Sequence, residues 1–324
     1  MIYISEDVVL RLITWDKTFD AVEAAMKKYS EKKTVQSART KTQIIGKPNM
    51  LVTMPGYLDD EKYGALGCKL VSFFPVNNDL PKPMPSVLAN IMLFDENSGG
   101  VKAVIGGFEI TKWRTAAASA VATKHIYENR NKPCNILAIL GAGQQGWAHA
   151  ECFKYFFKFK EIRIWNRTSK KASKLVTELN EKHNTNIFTH VISNQECVRG
   201  ADVIITVTNA PDPIIMDDWV KSGAHINAVG LGRTHHSEVE EKLYHRADVY
   251  IDHWEGVNTE LAGLAEIIEF KGEVGKVILN QITTKDVNRI TVFQSLVGVL
   301  GMAIEDCAMS RLIYDLYIEN QKTN

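Results

Sequence analysis

The residues with the clearest chemical signature are three glycines, Gly141, Gly143 and Gly146, which follow the apolar run 134–140. In a dinucleotide-binding turn the first glycine makes the sharp bend, the second lets the backbone approach a pyrophosphate, and the third lets the helix pack on the strand. The start of that helix favours an anion through its free N–H groups and its dipole. The pattern predicts that a dinucleotide binds at Gly141, Ala142, Gly143, Gln144, Gln145 and Gly146.

A second strand, 161–165, follows the helix at the distance expected of a strand–turn–helix–strand unit. This order favours a binding turn over a glycine turn that only packs a helix. The strand is followed by Asn166, Arg167 and Thr168, without an acidic residue. An NAD-preferring site usually has Asp or Glu there for the ribose 2′-hydroxyl, whereas Arg accommodates a 2′-phosphate. We therefore expect NADPH as the cofactor, with NADH binding more weakly.

Cations in unusual surroundings indicate a site for an anionic substrate. Lys69 shares one strand face with Val71 and Phe73, and a buried ammonium needs a partner or an anionic ligand. The alternative is a lysine at a sheet edge that extends to water. Arg114 is expected near the start of an alanine-rich helix, where the dipole disfavours a cation, so it either binds a carboxylate or lies exposed in the first turn. Arg39, taken alone, is interpreted as a surface residue.

The loop 227–236 follows a buried strand, and ligands often bind at the carboxyl ends of such strands. Arg233 in this loop is a candidate for substrate contact. The pair His235 and His236 does not indicate a metal site, because adjacent side chains diverge and the loop has no further ligand at suitable spacing. His253, beside Asp252, is a weak candidate for proton transfer, and a structural role is preferred.

These residues need two domains to position them, and the 324 residues are sufficient for both. The first section is β-rich, and the second alternates strands with helices, which predicts a doubly wound parallel sheet. A linker is expected near 129–133. The expected helices are 15–30 with Thr14 as N-cap, one running from Thr111 to 122, and a long helix 291–319 that returns to the first domain. The expected strands are 37–45, 50–54, 65–74, 87–94, 101–105, 188–192, 202–208, 224–229 and 248–251.

The composition excludes several classes of protein. The 38 basic residues balance the 38 acidic ones, so no overall field attracts nucleic acid or an anionic membrane. Five scattered cysteines without CxxC spacing argue against a disulfide framework or a zinc site. Acidic residues near Met1 and the lack of a long apolar run argue against a signal peptide and a membrane span. We expect a cytoplasmic protein.

Ordered motifs over nearly the whole chain resemble the ornithine cyclodeaminase/mu-crystallin family, in particular its mu-crystallin (ketimine reductase) branch. The matching stretches are 114–117, 141–146, 161–168, 200–208, 223–230 and 301–306. The resemblance implies a homodimer and a Rossmann-type domain at 116–295. It also implies an α+β substrate-binding and dimerisation domain at 1–115, completed by the C-terminal helix at 296–324.

The resemblance also implies roles for individual residues. The cations that bind the substrate carboxylate fall on Arg39, Lys69 and Arg114, and Lys69 is a further candidate for proton relay. The phosphate-binding residues fall on Asn166–Thr168. The other implied cofactor contacts are Arg114, Thr115, Thr206, Thr208, Val229 and Ser295, of which Ser295 is expected at a helix start near the nicotinamide.

Two departures from the family pattern affect the expected activity. Gly232 stands where cyclodeaminases have a catalytic Asp, and 297–300 is an additional stretch. Without that acid, the expected reaction is NADPH-dependent reduction of a cyclic ketimine carboxylate, such as piperideine-2-carboxylate, pyrroline-2-carboxylate or a sulfur analogue. The alternatives are an ornithine cyclodeaminase, an alanine or opine-type dehydrogenase, and a mu-crystallin that binds thyroid hormone (iodothyronine) with little turnover.

Overall fold

The computed structural model describes residues 1–231, 234, 236–283, 286–296 and 301–323. The predicted site residue Arg233, the position Gly232 and the stretch 297–300 lie outside the described residues. The chain divides into two compact units. The first contains Met1–Arg114 and Leu300–Asn324, and the second contains Thr115–Val299.

The strands in chain order are β1 (Ile2–Ile4), β2 (Thr34–Gln36), β3 (Thr40–Gln43), β4 (Met50–Leu58), β5 (Ala65–Phe73), β6 (Val87–Phe94), β7 (Val101–Gly106), β8 (Ile136–Leu140), β9 (Glu161–Trp165), β10 (Phe188–His190), β11 (Val203–Thr206), β12 (His225–Ala228), β13 (Ala247–Ile251), β14 (Gly272–Glu273) and β15 (Ile290–Gln294). The α-helices are α1 (Glu6–Leu12), α2 (Trp15–Ser30), α3 (Phe108–Ala122), α4 (Gln144–Phe156), α5 (Ser169–His183), α6 (Asn194–Val198), α7 (Glu241–His245), α8 (Trp254–Glu260), α9 (Ala262–Ala265), α10 (Val274–Ile278) and α11 (Ala303–Thr323).

The first unit is built on a sheet with the strand order β1-β7-β6-β5-β4-β2, and β3 also pairs with β4. Only β1 and β7 pair in parallel among these strands. Burial alternates along β4 and β5, as expected of a sheet with one covered face. Helix α11 packs against β4, β5 and α2, and its Met309 and Ile313 share a core with Tyr29, Leu58 and Ile91. The C-terminal helix therefore completes the first unit, as predicted.

The second unit contains a parallel sheet with the strand order β10-β9-β8-β11-β12-β15-β13-β14. From β8 the chain proceeds outward to β9 and β10, then returns to β11 on the other side of β8. The carboxyl ends of β8 and β11 thus flank the point where the strand order reverses, and ligands bind at such a point in open α/β sheets. The Rossmann-type part of the fold prediction is confirmed.

Several predicted boundaries were wrong for identifiable reasons. Of the expected strand 37–45, only Thr40–Gln43 forms a strand, β3, and the separate strand β2 (Thr34–Gln36) precedes it; the two pair with different parts of β4. Helix α3 begins at Phe108 and not at Thr111, because the Glu6 carboxylate accepts hydrogen bonds from the N–H groups of Phe108 and Glu109. The expected linker 129–133 lies within the second unit, where a π-helix and a 3-10 helix extend the chain beyond α3 to Arg130.

The predicted helix 291–319 was wrong over its first part. Residues Ile290–Gln294 form β15, fully buried between β12 and β13, and α11 begins at Ala303. A short continuous apolar run fits a buried strand as well as a buried helix, and periodicity alone does not distinguish them. Ser295, expected at a helix start, directly follows this strand.

None of the described helices is both long and apolar enough to cross a membrane. In the described part of the chain, no group of three or more His, Cys, Asp or Glu side chains is arranged to hold a metal ion. All five cysteines are free thiols.

Candidate active site

The glycine turn has the backbone geometry that the sequence predicts. Gly141 has φ of +127°, and a Cβ at this position would meet the Val207 carbonyl oxygen at 2.7 Å. A Cβ at Gly146 would lie 2.1 Å from the Gly141 carbonyl oxygen, so this glycine lets α4 approach β8. Gly143 precedes the first residue of α4, and a Cβ there would meet open space. The turn therefore leaves its helix start accessible to an anion.

A cavity of about 330 Å³ lies at the carboxyl ends of β8, β9 and β11. Its lining residues are Gly141, Ala142, Gly143, Trp165, Asn166, Arg167, Thr168, Lys171, Val207, Thr208, Asn209, Ala210 and Ile214. Asn166 accepts a hydrogen bond from the Ala142 N–H at 3.2 Å and donates one to the Thr168 carbonyl at 3.1 Å. Asn166 thus fixes the glycine turn against the end of β9, and the cavity has a helix start and the cation of Arg167 in its lining.

Lys171 is a lining residue that the sequence analysis missed. It lies in the first turn of α5, exposed and in the same cavity as Arg167. A cation is disfavoured by the dipole in a first helical turn, so its position there was an available signal. Arg167 and Lys171 together supply two positive charges beside the end of β9.

Glu238 is a second residue that the sequence analysis missed. Its Oε1 accepts hydrogen bonds from the backbone N–H and the hydroxyl of Thr208, and the side chain is almost fully buried. Burial raises the pKa of Glu238, and hydrogen bonds from Thr208, Thr206 and Gly230 oppose that rise. A Cβ at Gly230 would lie 2.2 Å from Glu238 Oε2. Glu238 therefore holds the ends of β11 and β12 where they approach the cavity.

Three further predicted cofactor residues lie along the same edge of the sheet. Thr206 ends β11, Val229 follows β12 and Ser295 follows β15. Thr208, another predicted cofactor residue, also lines the cavity. Gln144 of the glycine turn lines an adjoining cavity. Thr115 is buried within α3.

In the first unit, the three predicted substrate cations meet around the start of α11. Lys69 Nζ lies 2.6 Å from Asp306 Oδ2. Arg114 Nε is 3.5 Å from Asp306 Oδ1, and its Nη1 is 3.5 Å from Glu305 Oε2. Side-chain exposure is 0% for Lys69, Arg114 and Glu305 and 1% for Asp306. The chain itself thus supplies two carboxylates to two buried cations.

Arg39 joins this group through the backbone at Gly301. Its Nη2 donates to the Gly301 carbonyl at 3.4 Å. Gly301 has φ of +73°, and a Cβ there would lie 2.1 Å from Arg114 Nη1. Only glycine suits this position, because its backbone is in the left-handed region and lies directly on the guanidinium of Arg114.

The dipole argument for Arg114 does not fit the structure. Since α3 begins at Phe108, Arg114 lies in the second turn, where the dipole argument has little force. Its burial with Glu305 and Asp306 accounts for its position instead. Two adjacent acids in the first turn of α11, between apolar residues, were the signal for this pairing.

Burial gives Lys69 an unusual titration. The pKa of Lys69 is lowered to about 8, mainly by desolvation; the Arg114 charge also lowers it, and the Asp306 carboxylate acts in the opposite direction. A lysine with a lowered pKa suits a group that donates a proton.

His253 lies at the carboxyl end of β13, as predicted. Asp252 Oδ1 is 2.9 Å from His253 Nδ1, and Asp252 Oδ2 accepts a hydrogen bond from the Leu296 N–H at 2.9 Å. Asp252 therefore joins the segments that follow β13 and β15, and the pair has a structural explanation.

Comparisons with known proteins show the family and the fold. The model of the ornithine cyclodeaminase/mu-crystallin family matches residues 1–321. The chain belongs to this family. The ketimine reductase mu-crystallin of Mus musculus is 38% identical over 300 residues, which is 91% of this chain and 90% of the relative. The family predicted from the sequence motifs is thereby confirmed.

Two solved structures share the fold over the full length. The Δ1-pyrroline-2-carboxylate reductase of Thermococcus litoralis, in complex with NADH and L-proline, has a TM-score of 0.87 and 28% identity, and the match covers 99% of this chain and 98% of that one. An archaeal alanine dehydrogenase dimer with bound NAD has a TM-score of 0.86 and 25% identity, with 99% and 97% coverage.

Proposed function

We propose that this protein reduces cyclic ketimine carboxylates, such as piperideine-2-carboxylate, pyrroline-2-carboxylate or a sulfur analogue, to cyclic imino acids with NADPH. The protein is an oxidoreductase acting on C=N bonds, in keeping with its ketimine reductase and pyrroline-2-carboxylate reductase relatives. The observation that carries the choice of substrate is the convergence of Arg39, Lys69 and Arg114 near the start of α11. We place the activity in the cytoplasm, which suits the five free thiols.

The residues divide into two groups in this proposal. The glycine turn holds the pyrophosphate of a nicotinamide cofactor, and Arg167 with Lys171 holds a 2′-phosphate. A reduced nicotinamide supplies the hydride when it is bound. Arg39 and Arg114 bind the substrate carboxylate, and Lys69 provides the proton for the imine nitrogen. Because Lys69 and Arg114 have no exposed side-chain surface, we expect substrate binding to displace the Gly301 backbone from Arg114.

A spectrophotometric assay tests this activity and its rivals together. Enzyme, NADPH and piperideine-2-carboxylate or pyrroline-2-carboxylate are mixed, and consumption of the reduced nicotinamide is followed against a control without enzyme. Pyruvate with ammonia or an amino acid tests an alanine or opine-type dehydrogenase, which the alanine dehydrogenase relatives support. Ornithine with NAD tests a cyclodeaminase, which Gly232 in place of an acid disfavours. The proposal fails if only the rival substrates turn over.

Iodothyronine binding is the second candidate function, and it rests on the relation to mu-crystallins. Calorimetric titration with iodothyronine, with and without NADPH, measures it directly. Tight binding in a protein that reduces none of the imines would favour this role over catalysis.

We further propose that the protein is a homodimer formed by the outer face of the first unit's sheet. One row across this face consists of Pro55, Cys68, Met92, Val104 and Tyr3, which are neighbours on five adjacent strands. None of the five is charged, and Tyr3 is 65% exposed. A continuous apolar surface of this kind is typical of an interface, and a second copy of the chain presents the same surface. The dimeric alanine dehydrogenase relative supports a dimer.

Met92→Lys is expected to convert the dimer to a monomer, because it places an ammonium at the centre of the apolar row. Light scattering coupled to size-exclusion chromatography measures the mass. Tyr155→Lys is the matched control, since Tyr155 is 54% exposed on α4 in the other unit. A dimer that persists in Met92→Lys, or is lost equally in Tyr155→Lys, contradicts this interface.

A further inference from the structure

Asp306 contacts two of the three candidate substrate cations with separate oxygens. Its Oδ2 is 2.6 Å from Lys69 Nζ, and its Oδ1 is 3.5 Å from Arg114 Nε. One buried carboxylate therefore fixes the orientation of both cationic side chains. Glu305 forms an ion pair with Arg114.

The surroundings of Asp306 make it a rigid support. It lies in the first turn of α11, where the helix dipole favours an anion. The Ala303 N–H donates to Gln36 Oε1 at 2.7 Å, and Cys307 Sγ donates to the Gly56 carbonyl at 3.2 Å. The residues on both sides of Asp306 are thus attached to β2 and β4, the strands that flank this end of the helix.

We propose that Asp306 is a positioning residue that keeps Lys69 in its ammonium form and holds it in place, so that Lys69 is the proton donor to the imine nitrogen. The inference rests on the proposed ketimine reductase activity. In the step, the imine carbon accepts a hydride from the reduced nicotinamide, the C=N π electrons move to nitrogen, and nitrogen takes a proton from Lys69 Nζ. The neutral Lys69 amine regains its proton from water.

The charges around Lys69 explain why it needs this support. Asp306, Glu305 and the Cys307 thiol face it from α11, and Arg114 faces it from α3. Its neighbours on β4 and β6 are Met54 and Ile91, which offer no charge. Burial and Arg114 both lower the pKa of Lys69, and Asp306 is the largest influence that raises it. Removing the Asp306 charge favours the neutral amine of Lys69. As the pH rises, the rate of a reaction that needs the ammonium therefore begins to fall at a lower pH than in the wild type.

The first measurement uses the protein without substrate or cofactor. The 13Cε signal of Lys69, assigned by comparison with Lys69→Met, is followed over pH in the wild type, in Asp306→Asn and in Glu305→Gln. We expect a wild-type midpoint at a pH of about 8. In Asp306→Asn the midpoint should fall by at least about one pH unit, and in Glu305→Gln by less than about half a unit.

The second measurement is the pH profile of kcat/KM for the imine. The alkaline limb should move in Asp306→Asn as the Lys69 midpoint does, and for a shift of about one pH unit the loss should grow from about threefold at pH 7.5 towards about tenfold at pH 9. Asp306→Glu should restore the position of this limb with a lower kcat, which a purely structural role does not predict. Thermal unfolding monitors the fold of each variant.

The outcomes separate this inference from the activity on which it rests. A wild type that reduces no imine overturns the proposed activity and the proton transfer with it. An active wild type whose Lys69 midpoint and pH profile are unchanged in Asp306→Asn overturns the role of Asp306 alone. If Asp306→Asn does not fold, Asp306→Glu provides the test. An alkaline limb of its kcat/KM profile that is displaced from the wild-type position would contradict the proposal.

Discussion

Lys69→Met is expected to lower kcat/KM for cyclic ketimine carboxylates by about 10²- to 10⁴-fold, the range typical of losing a general acid. Lys69 is a buried cation of the candidate substrate site, and its Nζ lies 2.6 Å from Asp306 Oδ2. Methionine fills a similar volume and cannot donate a proton. The loss should appear in kcat more than in KM, since Arg39 and Arg114 remain to bind the substrate carboxylate.

The same substitution also removes one partner of a buried ion pair. Such a change typically costs about 3–5 kcal/mol, because the remaining charge stays buried. Arg114, 3.5 Å from Asp306, compensates part of this cost. Activity must therefore be compared at matched folded fractions, measured by chemical unfolding.

Lys102→Met is the control for Lys69→Met, because Lys102 pairs with Asp95 at a partly exposed position on β7. It should leave both kcat/KM and stability near the wild-type values, as expected of a surface pair. Equal activity of Lys69→Met and the wild type would show that the Lys69–Asp306 pair serves only the fold.

Arg167→Asp is expected to reduce kcat/KM with NADPH by about 10- to 100-fold while sparing NADH, since a charge-assisted contact to a phosphate contributes about 1.5–3 kcal/mol. The new carboxylate repels a 2′-phosphate and can accept a hydrogen bond from a ribose 2′-hydroxyl. Steady-state kinetics with both cofactors measure the ratio. Lys171→Ala should weaken NADPH use in the same direction, because Lys171 lines the same cavity.

Lys158→Asp provides the matched control, because Lys158 is exposed in the loop between α4 and β9. This substitution makes the same change in charge as Arg167→Asp. It should leave the ratio of NADPH to NADH unchanged. An equal loss of both cofactors in Arg167→Asp would show that Arg167 supports the fold and does not select the phosphate.

The strand–turn–helix–strand unit of β8, α4 and β9 could be predicted because its determinants are local. The residues Gly141–Gly146 and Asn166–Thr168 lie on consecutive elements, β8, α4 and β9, and each element follows directly from its own pattern. Strand β6, Val87–Phe94, has the predicted bounds for the same reason. Lys171 was missed although its position against the helix dipole was visible.

The acidic side of the candidate site could not be predicted in this way. Arg114 and Glu305 are separated by 191 positions, and only the packing of α11 on the first unit's sheet brings them together. Glu238 reaches Thr208 across 30 positions from the turn 236–238. A sequence pattern identifies a buried cation that needs a partner, but the identity of that partner depends on the tertiary fold.

The most direct test of the proposed reaction is to trace the hydride. Enzyme is mixed with piperideine-2-carboxylate and NADPH carrying deuterium at both C4 positions of the nicotinamide, and the product is analysed by mass spectrometry and proton NMR. Our account predicts pipecolate with one deuterium on the carbon that bears the carboxylate. Consumption of NADPH without deuterium at that carbon, or no pipecolate above the control without enzyme, would contradict it.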